Sequence, residues 1–495
     1  MSTTEIALAR YGLWIAGEQR ESRKGATFTR TSPYTGEVVS EYANADEADA
    51  QEAIDAARRA FDGGGWAHAS AWDRHVVLKR TAELLRENAQ TIAERVALEA
   101  GKPVNLTLGE TVVSARAFDF YAGAVLADEG EAISHRVPNA LGLVLHEPVG
   151  VVSMITAWNF PLAQVAQKSG AALAAGCSIV LKPSHFCSSP AMLLAEYLHE
   201  AGLPAGVFNV VPSDLDRGVL VGQHLAGSHD VEMVGLTGST AAGRAVMRAA
   251  ASNTKKLALE LGGKSANIVF DDAPFEEAAR TAVSAFTTIS GQQCSAGSRL
   301  LVQRGIHERL VEAMKEHVAA HVLGDPLDTA TTMGPLINDD QLKRVQGYIE
   351  VGREVGDLVA GGGQPQVDGP LNLFVEPTVF DNVSNDSRLA REEVFGPVLA
   401  VIPFDTEADA IAMANDNEYG LAGGVWTTNI DRAIRVTKAV RTGKFFVNSY
   451  NTAGIDDMPH GGIKSSGFGR EFGLAGLREF QELKTVQIKL AESAS

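Results

Sequence analysis

Cysteine is scarce in this chain: 495 residues hold three, Cys177, Cys187 and Cys294. Their odd number and the lack of any Cys-x-x-Cys spacing argue against a disulfide framework and against a cysteine zinc site, so three free thiols and no metal are expected. Clusters of Lys and Arg are missing as well. A formal charge of -18 argues against a polyanion as the main partner, because nucleic-acid binding draws on clustered cations. No long apolar run exists either, and the longest uncharged one, 171–181, is too short to cross a bilayer. The opening Met-Ser-Thr-Thr-Glu-Ile-Ala-Leu-Ala-Arg has no basic start followed by an apolar core, which argues against a secretory signal. A cytoplasmic protein with neither membrane nor nucleic acid as partner is the expectation. Internal repeats and low-complexity segments are also lacking.

What is present is ordinary for a globular chain: 45% hydrophobic and 21% charged residues, and a length that implies two or three domains. Apolar residues at Ala50, Ile54, Ala57 and Phe61 predict a helix over 46–61. A second helix is predicted over 73–100, with Val77, Leu84, Leu85, Ile92 and Val96 inward and Gly101 and Pro103 as its stop. Strand-like pieces at 12–16 and 37–42 flank this helical start. Over 149–270, apolar runs at 149–156, 178–181, 207–211, 231–236 and 266–270 alternate with helices beginning near Pro161, Pro190, Arg217 and Ser239. Such alternation implies a parallel sheet covered on both faces, with ligands at the carboxyl ends of the strands. A second α/β block follows, with helices over 276–289 and 308–322 and strands at 398–404, 424–427 and 444–448. The alternating 484–490 has no hairpin neighbour, so a partner in another domain or subunit is expected.

The strand ends carry chemistry. Thr156-Ala157-Trp158-Asn159-Phe160-Pro161 follows the first strand, Lys182-Pro183-Ser184 the second and Leu236-Thr237-Gly238-Ser239-Thr240 the fourth. An amide, a cation and a helix start offering N–H groups together suit a nucleotide. Each also has a structural reading: Asn159 as a helix cap, Lys182 as a solvated charge, and Gly-Ser-Thr as a capping sequence. The Gly-x-Gly-x-x-Gly fingerprint is absent from this region. Leu259-Glu260-Leu261-Gly262-Gly263-Lys264 sets an acid in an apolar run, either as a general base or as a partner of Lys256 or Lys264. Glu392-Glu393-Val394-Phe395-Gly396-Pro397 reads as a turn or as an acid and an aromatic facing a ligand. In Gly291-Gln-Gln-Cys-Ser-Ala-Gly-Ser-Arg299, small neighbours around Cys294 leave room for its sulfur, an expectation that assigns Gly291 and Gly297 to space.

Taken together these strings resemble the aldehyde dehydrogenase superfamily over nearly the whole chain. The match comprises Trp-Asn-Phe-Pro at 158–161, Lys-Pro-Ser at 182–184, Thr-Gly-Ser-Thr at 237–240, Glu-Leu-Gly-Gly-Lys at 260–264, Gly-Gln-Gln-Cys at 291–294, Glu-Val-Phe-Gly-Pro at 393–397 and Ser-Gly-Phe-Gly-Arg-Glu at 466–471. The resemblance implies an α/β fold with a variant Rossmann cofactor domain over 1–127 and 148–259 and an α/β catalytic domain over 260–458. It also implies a small β oligomerisation element from 128–147 and 478–495, hence a homodimer or homotetramer. NAD is the implied cofactor. Lys182 and Ser184 would hold the adenosine ribose, Gly238 and Ser239 the pyrophosphate, and Glu393 and Phe395 the nicotinamide half. Ile155, Thr156, Trp158, His185, Gly218 and Leu261 would complete that site.

The implied reaction takes an aldehyde to its carboxylic acid. The Cys294 thiolate attacks the carbonyl carbon, and the alkoxide is held by the Asn159 amide and the Cys294 N–H. Hydride leaves to give a thioester, and Glu260 activates the water that hydrolyses it. Lys168 and Glu471 match positions that relay that proton or order the site. Because acyl transfer to coenzyme A generally goes with loss of the base, Glu260 favours hydrolytic release. His185 stands where NAD-preferring relatives carry an acid, which opens the site to NADP while NAD stays the expected cofactor. Phe160, Gln164, Gln167, Asn451, Thr452 and Ala453 are expected to line a substrate tunnel, less aromatic and roomier than one for short aliphatic aldehydes. Cys177 and Cys187 are assigned to packing. A cysteine hydrolase lacks its histidine signature here, and a non-catalytic relative would have lost Cys294, Glu260 and Asn159.

Overall fold

The predicted first helix forms as α1 (Glu47–Asp62), and Asp46 sets its start by accepting from the Ala48 and Asp49 N–H groups while Asp49 bonds back to the Asp46 backbone. The computed structural model describes residues 8–134, 136, 138–367, 369–451 and 457–491. In it the single helix expected over 73–100 is two, α2 (Ala71–Glu87) and α3 (Ala89–Ala100). Asn88 breaks them at φ -106 and ψ 16, and its side-chain amide donates to the Leu84 carbonyl, satisfying the end of α2. The five inward positions are all buried. Gly101, at φ +69, ends α3, and a Cβ there would press on Pro33 and Pro335. The long α4 (Val104–Ala127) follows.

Eight strands make the first sheet, in the order Gly467–Phe468, Lys256–Glu260, Met233–Thr237, Val151–Ile155, Ser178–Lys182, Phe208–Val210, Leu13–Ile15, Glu18–Arg20. Its five central strands are mutually parallel. Successive side chains alternate between faces, as strand geometry requires. Val152, Met154, Ile179 and Leu181 join the core under α2–α4, α5 (Ala163–Ala175) and α6 (Ser189–Glu200). Val151, Val180, Val234 and Leu236 join the opposite core with α1, α7 (Leu215–Gly227) and α8 (Thr240–Ala250).

One strand assignment changes. Ala266–Val269 does not extend this sheet but sits in a second, seven-stranded one, between Arg299–Gln303 and Ala422–Trp426. The first sheet takes Lys256–Glu260 instead, a strand whose Lys-Leu-Ala-Leu-Glu sequence has none of the β-branched residues that mark strands locally. The second sheet also holds Val398–Phe404 and Lys444–Val447 at the expected places, and it packs against α9 (Phe275–Thr287), α10 (His307–Ala319) and α11 (Asp339–Val355).

The C-terminal strand, Gln481–Lys489, pairs antiparallel with Ala140–Pro148 of the same chain, and Glu131–Ile133 adds a third strand. Leu483, 68% exposed, and Ile488, 38% exposed, stand out from the C-terminal strand on opposite faces. No helix among the described residues is long and apolar enough to cross a membrane, and no group of metal-ligating side chains occurs among them.

Candidate active site

Strand register brings the functional residues together. Lys182 pairs beside Ile155, Ile155 beside Leu236, and Thr237 beside Glu260, so four strands end along one rim. Two cavities open there, of about 330 and 450 Å3, and Asn159 lies beside the first while Thr237, Glu260 and Cys294 line both.

The smaller cavity gathers Trp158, Gly238, Ser239, Leu261, Glu393 and Phe395. Ser239 also caps α8, its hydroxyl accepting from the Ala242 N–H at 3.1 Å, so the structural reading holds beside the functional one. Glu393 reaches across to the Gly263 N–H at 2.9 Å, and a side chain at Gly262 would strike its carboxylate. Phe395 is held at φ +59, a left-handed conformation uncommon for a bulky residue and typical of constrained ligand-binding loops. Its carbonyl accepts from Gln341 at 2.7 Å, and Arg344 donates to the Val394 carbonyl at 3.1 Å. Both residues lie on α11, line the cavity and were not anticipated. Their only signal was a three-residue spacing on one helix face, which carries no chemistry by itself.

Ile155, Thr156, Lys182, Ser184, His185 and Gly218 do not line that cavity. Thr156 donates its N–H to the Lys182 carbonyl at 3.2 Å, and Lys182 is buried rather than solvated. Its ammonium makes one long contact, 3.4 Å to the Pro183 carbonyl, and burial lowers its pKa to about 8. Gly218 faces it closely, since a Cβ there would lie 3.0 Å from Nζ. His185 packs on Phe186, which also meets Trp158 edge to face and the Arg30 guanidinium 5.2 Å from its ring centroid. Burial, with Lys182 and Arg30 nearby, pushes the His185 pKa down to about 4.

Cys294 follows three consecutive left-handed residues, Ile289, Ser290 and Gly291, at φ 53, 55 and 72. Ser290 Oγ donates to the Gly334 carbonyl at 2.6 Å, and the Gln292 side-chain oxygen accepts from the Ile337 N–H at 3.1 Å. Space at Gly291 serves the fold rather than the sulfur: a Cβ would lie 2.2 Å from the Gly396 backbone. Gly297 likewise makes way for Ala285 and Tyr450. At Gly263, a Cβ would lie 2.3 Å from the Cys294 carbonyl. Burial, then the carboxylates of Glu260 and Glu393, push the Cys294 thiol up to about 12, against the opposing pull of the Ser295 and Cys294 N–H groups.

Glu260 is buried, and neither Lys256 nor Lys264 pairs with it. Lys256 reaches Gln481 and Glu482 instead, while Lys264 is buried without a hydrogen-bond partner among the described residues and its pKa falls to about 7 through burial. Glu260 Oε1 accepts from the Gly462 N–H at 3.1 Å. His460 Nε2 stands 3.3 Å from Oε2 without hydrogen-bond geometry, so that buried oxygen has no hydrogen-bond partner among the described residues. Asn159 is not a cap. Its amide nitrogen donates to the Gln292 carbonyl at 3.0 Å, leaving a second N–H, and its oxygen accepts from Gln164 at 2.9 Å. Lys168 pairs with Glu471 below this group, and burial lowers the lysine to about 8 against the pull of Glu260.

The larger cavity contains Phe160, Gln164, Gln167 and Asn451 as expected, whereas Thr452 and Ala453 lie outside the described residues. Gln164 spends its polar atoms on Asn159 and on the Ala157 N–H at 2.8 Å. Lys102 and Glu110, unanticipated, form an ion pair with both side chains 2% exposed. The second Glu110 oxygen accepts from the Leu162 and Ala163 N–H groups at 2.9 Å, pinning the start of α5, where favourable charge is negative. In the sequence, neither residue stands near any motif it serves.

The aldehyde dehydrogenase family model matches residues 20–486. A betaine aldehyde dehydrogenase of Bacillus subtilis (strain 168) is 40% identical over 96% of each chain. Among solved structures, an NAD-dependent aldehyde dehydrogenase from Sinorhizobium meliloti superposes with TM-score 0.95 at 38% identity, covering 98% of this chain and 96% of that one. The indole-3-acetaldehyde dehydrogenase of P. syringae, solved with NAD+ and IAA, has TM-score 0.95 at 42% identity, covering 99% and 98%.

Proposed function

Since this chain belongs to the aldehyde dehydrogenase family, we propose that it oxidises its aldehyde with NAD+ and water, using Cys294 as nucleophile, Asn159 as oxyanion donor and Glu260 as base. The observation that carries this reading is the meeting of two cavities at Cys294 and Glu260, which gives the sulfur one approach from a cofactor and another from a substrate. The smaller cavity fits a dinucleotide end: the buried Thr237 hydroxyl there has no hydrogen-bond partner among the described residues, and α8 turns its first N–H groups toward the same space. Trp158, Gly238, Ser239, Leu261, Glu393 and Phe395 would hold that part, and Ile155, Thr156, Lys182, Ser184, His185 and Gly218 the adenosine end.

Deprotonation of Cys294 comes first, because the thiol lies far above neutrality. Glu260, with Oε2 open, accepts that proton, and the Lys168–Glu471 pair carries it onward. The thiolate then forms a C–S bond to the carbonyl carbon, and the oxygen becomes an alkoxide facing the spare Asn159 N–H and the Cys294 N–H. When bound, the cofactor supplies the acceptor for the hydride that this adduct releases. The resulting thioester is attacked by water as Glu260 takes its proton; the C–S bond breaks, the thiolate leaves and the acid is released. Cofactor reduction on adding an aldehyde tests the assignment. Cys294→Ala is expected to abolish it, and normal turnover by that variant would remove the nucleophile.

His185 supports NADP as a second acceptor, since no acid occupies its position and two cations lie near it. NAD+ remains the expected choice. Equilibrium binding and kcat/KM with both cofactors decide it, and a clear preference for NADP would reverse the order. Homodimer or homotetramer formation through the exposed edge of Gln481–Lys489 accompanies this reading, supported by the exposed Leu483 and Ile488. So does a cytoplasmic location, supported by three free cysteines.

A further inference from the structure

We propose that the tunnel selects a bulky uncharged aldehyde and discriminates against a quaternary ammonium aldehyde, although a relative at 40% identity is named for betaine aldehyde. The inference rests on the aldehyde-oxidising reading of the same site. A trimethylammonium group has no N–H to donate. Its recognition depends on aromatic faces and on free carboxylates, and without them its burial forfeits hydration.

Neither is on offer among the described residues. Among the described residues the tunnel has two aromatic rings, Phe160 and Phe472. The Phe160 ring already carries a cation, the Lys102 ammonium 4.2 Å from its centroid, and Phe472 meets the edge of His460. Among the described residues the carboxylates of the wall are spent. Glu110 holds Lys102 and two backbone N–H groups, Glu471 holds Lys168, and Glu260 is committed to the chemistry.

The remaining wall suits a neutral body. Leu106, Val113 and Ile289 are apolar, and Thr288 turns its hydroxyl back to the Ser284 carbonyl at 2.7 Å. Gly109 widens the tunnel, since a Cβ there would meet nothing within 4 Å. At about 450 Å3, the cavity holds far more than a two-carbon aldehyde, and filling it with apolar surface favours binding.

The test compares kcat/KM for phenylacetaldehyde, betaine aldehyde and propanal with NAD+. Phenylacetaldehyde should exceed betaine aldehyde by about tenfold or more, the scale of one missing cation–π contact. Gly109→Phe, which fills the widened wall, should lower the phenylacetaldehyde-to-propanal ratio by about tenfold, as pocket-filling does. Betaine aldehyde equal to or better than phenylacetaldehyde, with propanal turned over, would overturn the tunnel inference alone. No turnover of any of the three would overturn the parent reading with it.

Discussion

The two cavities that meet at Cys294 treat charge in opposite ways. Toward the cofactor, buried polar groups are left wanting: Lys182, on the strand-end rim beyond the smaller cavity, has one hydrogen bond at 3.4 Å among the described residues, and the Thr237 hydroxyl, where the two cavities join, has none among them. On the tunnel side Lys102 with Glu110 and Lys168 with Glu471 are closed pairs. A buried polar group without a partner is costly, so its retention marks the side that receives a polar ligand. A closed pair in the same low dielectric adds little net stability, but losing one partner strands a charge. The first arrangement therefore prepares for binding, and the second holds the geometry of the Trp-Asn-Phe-Pro loop.

The sharpest break in this contrast lies at the junction. Glu260→Gln should lower steady-state turnover by about 100- to 10,000-fold, the range for losing a general base. Rapid-quench or stopped-flow measurement should show the first burst of cofactor reduction slowed as well, because Glu260 also takes the Cys294 proton; a burst at the normal rate would confine Glu260 to the hydrolytic step. On the tunnel side, Glu110→Gln removes the charge facing the Lys102 ammonium and leaves a single acceptor oxygen, which can serve either that ammonium or the two N–H groups at the start of α5. A loss of about 3–5 kcal/mol in denaturant unfolding is expected, and an unchanged midpoint would mean that the pair has no structural role. Lys182→Met on the cofactor side should leave folding nearly intact and weaken NAD+ binding by about tenfold, because a charged hydrogen bond to the ligand is lost. Equal destabilisation by the last two variants would erase the distinction. The smallest effect concerns the sulfur. With its thiol up near 12, alkylation of Cys294 in the cofactor-free protein should rise about tenfold per pH unit from 6 to 9, without a plateau. Glu393→Gln should speed alkylation modestly at fixed pH, since that carboxylate raises the thiol pKa.

Much of the site was legible because its groups sit at strand ends, where short strings carry both fold and chemistry. Trp158-Asn159, Lys182 and Thr237-Gly238 could be placed on one rim from the alternation of strands and helices, whereas Glu260 was legible from its motif alone. Lys102, Glu110, Gln341 and Arg344 could not, since each acts on a loop at least 49 residues away in sequence and has no local signature. The strand Lys256–Glu260 escaped for a related reason: pairing with its neighbours, not β-propensity, holds it extended.

By itself, the sequence determined which groups can react and in what order along the chain they come, because side-chain identity and strand–helix periodicity are local properties. Only the tertiary structure decided their state. The elevated thiol of Cys294, the open oxygen of Glu260, the spare N–H of Asn159 and the glycine at 291 pressed against Gly396 all depend on what lies across a gap of a few ångströms from a distant part of the chain. Burial and electrostatics are set by that distance in space, which no local pattern of residues encodes.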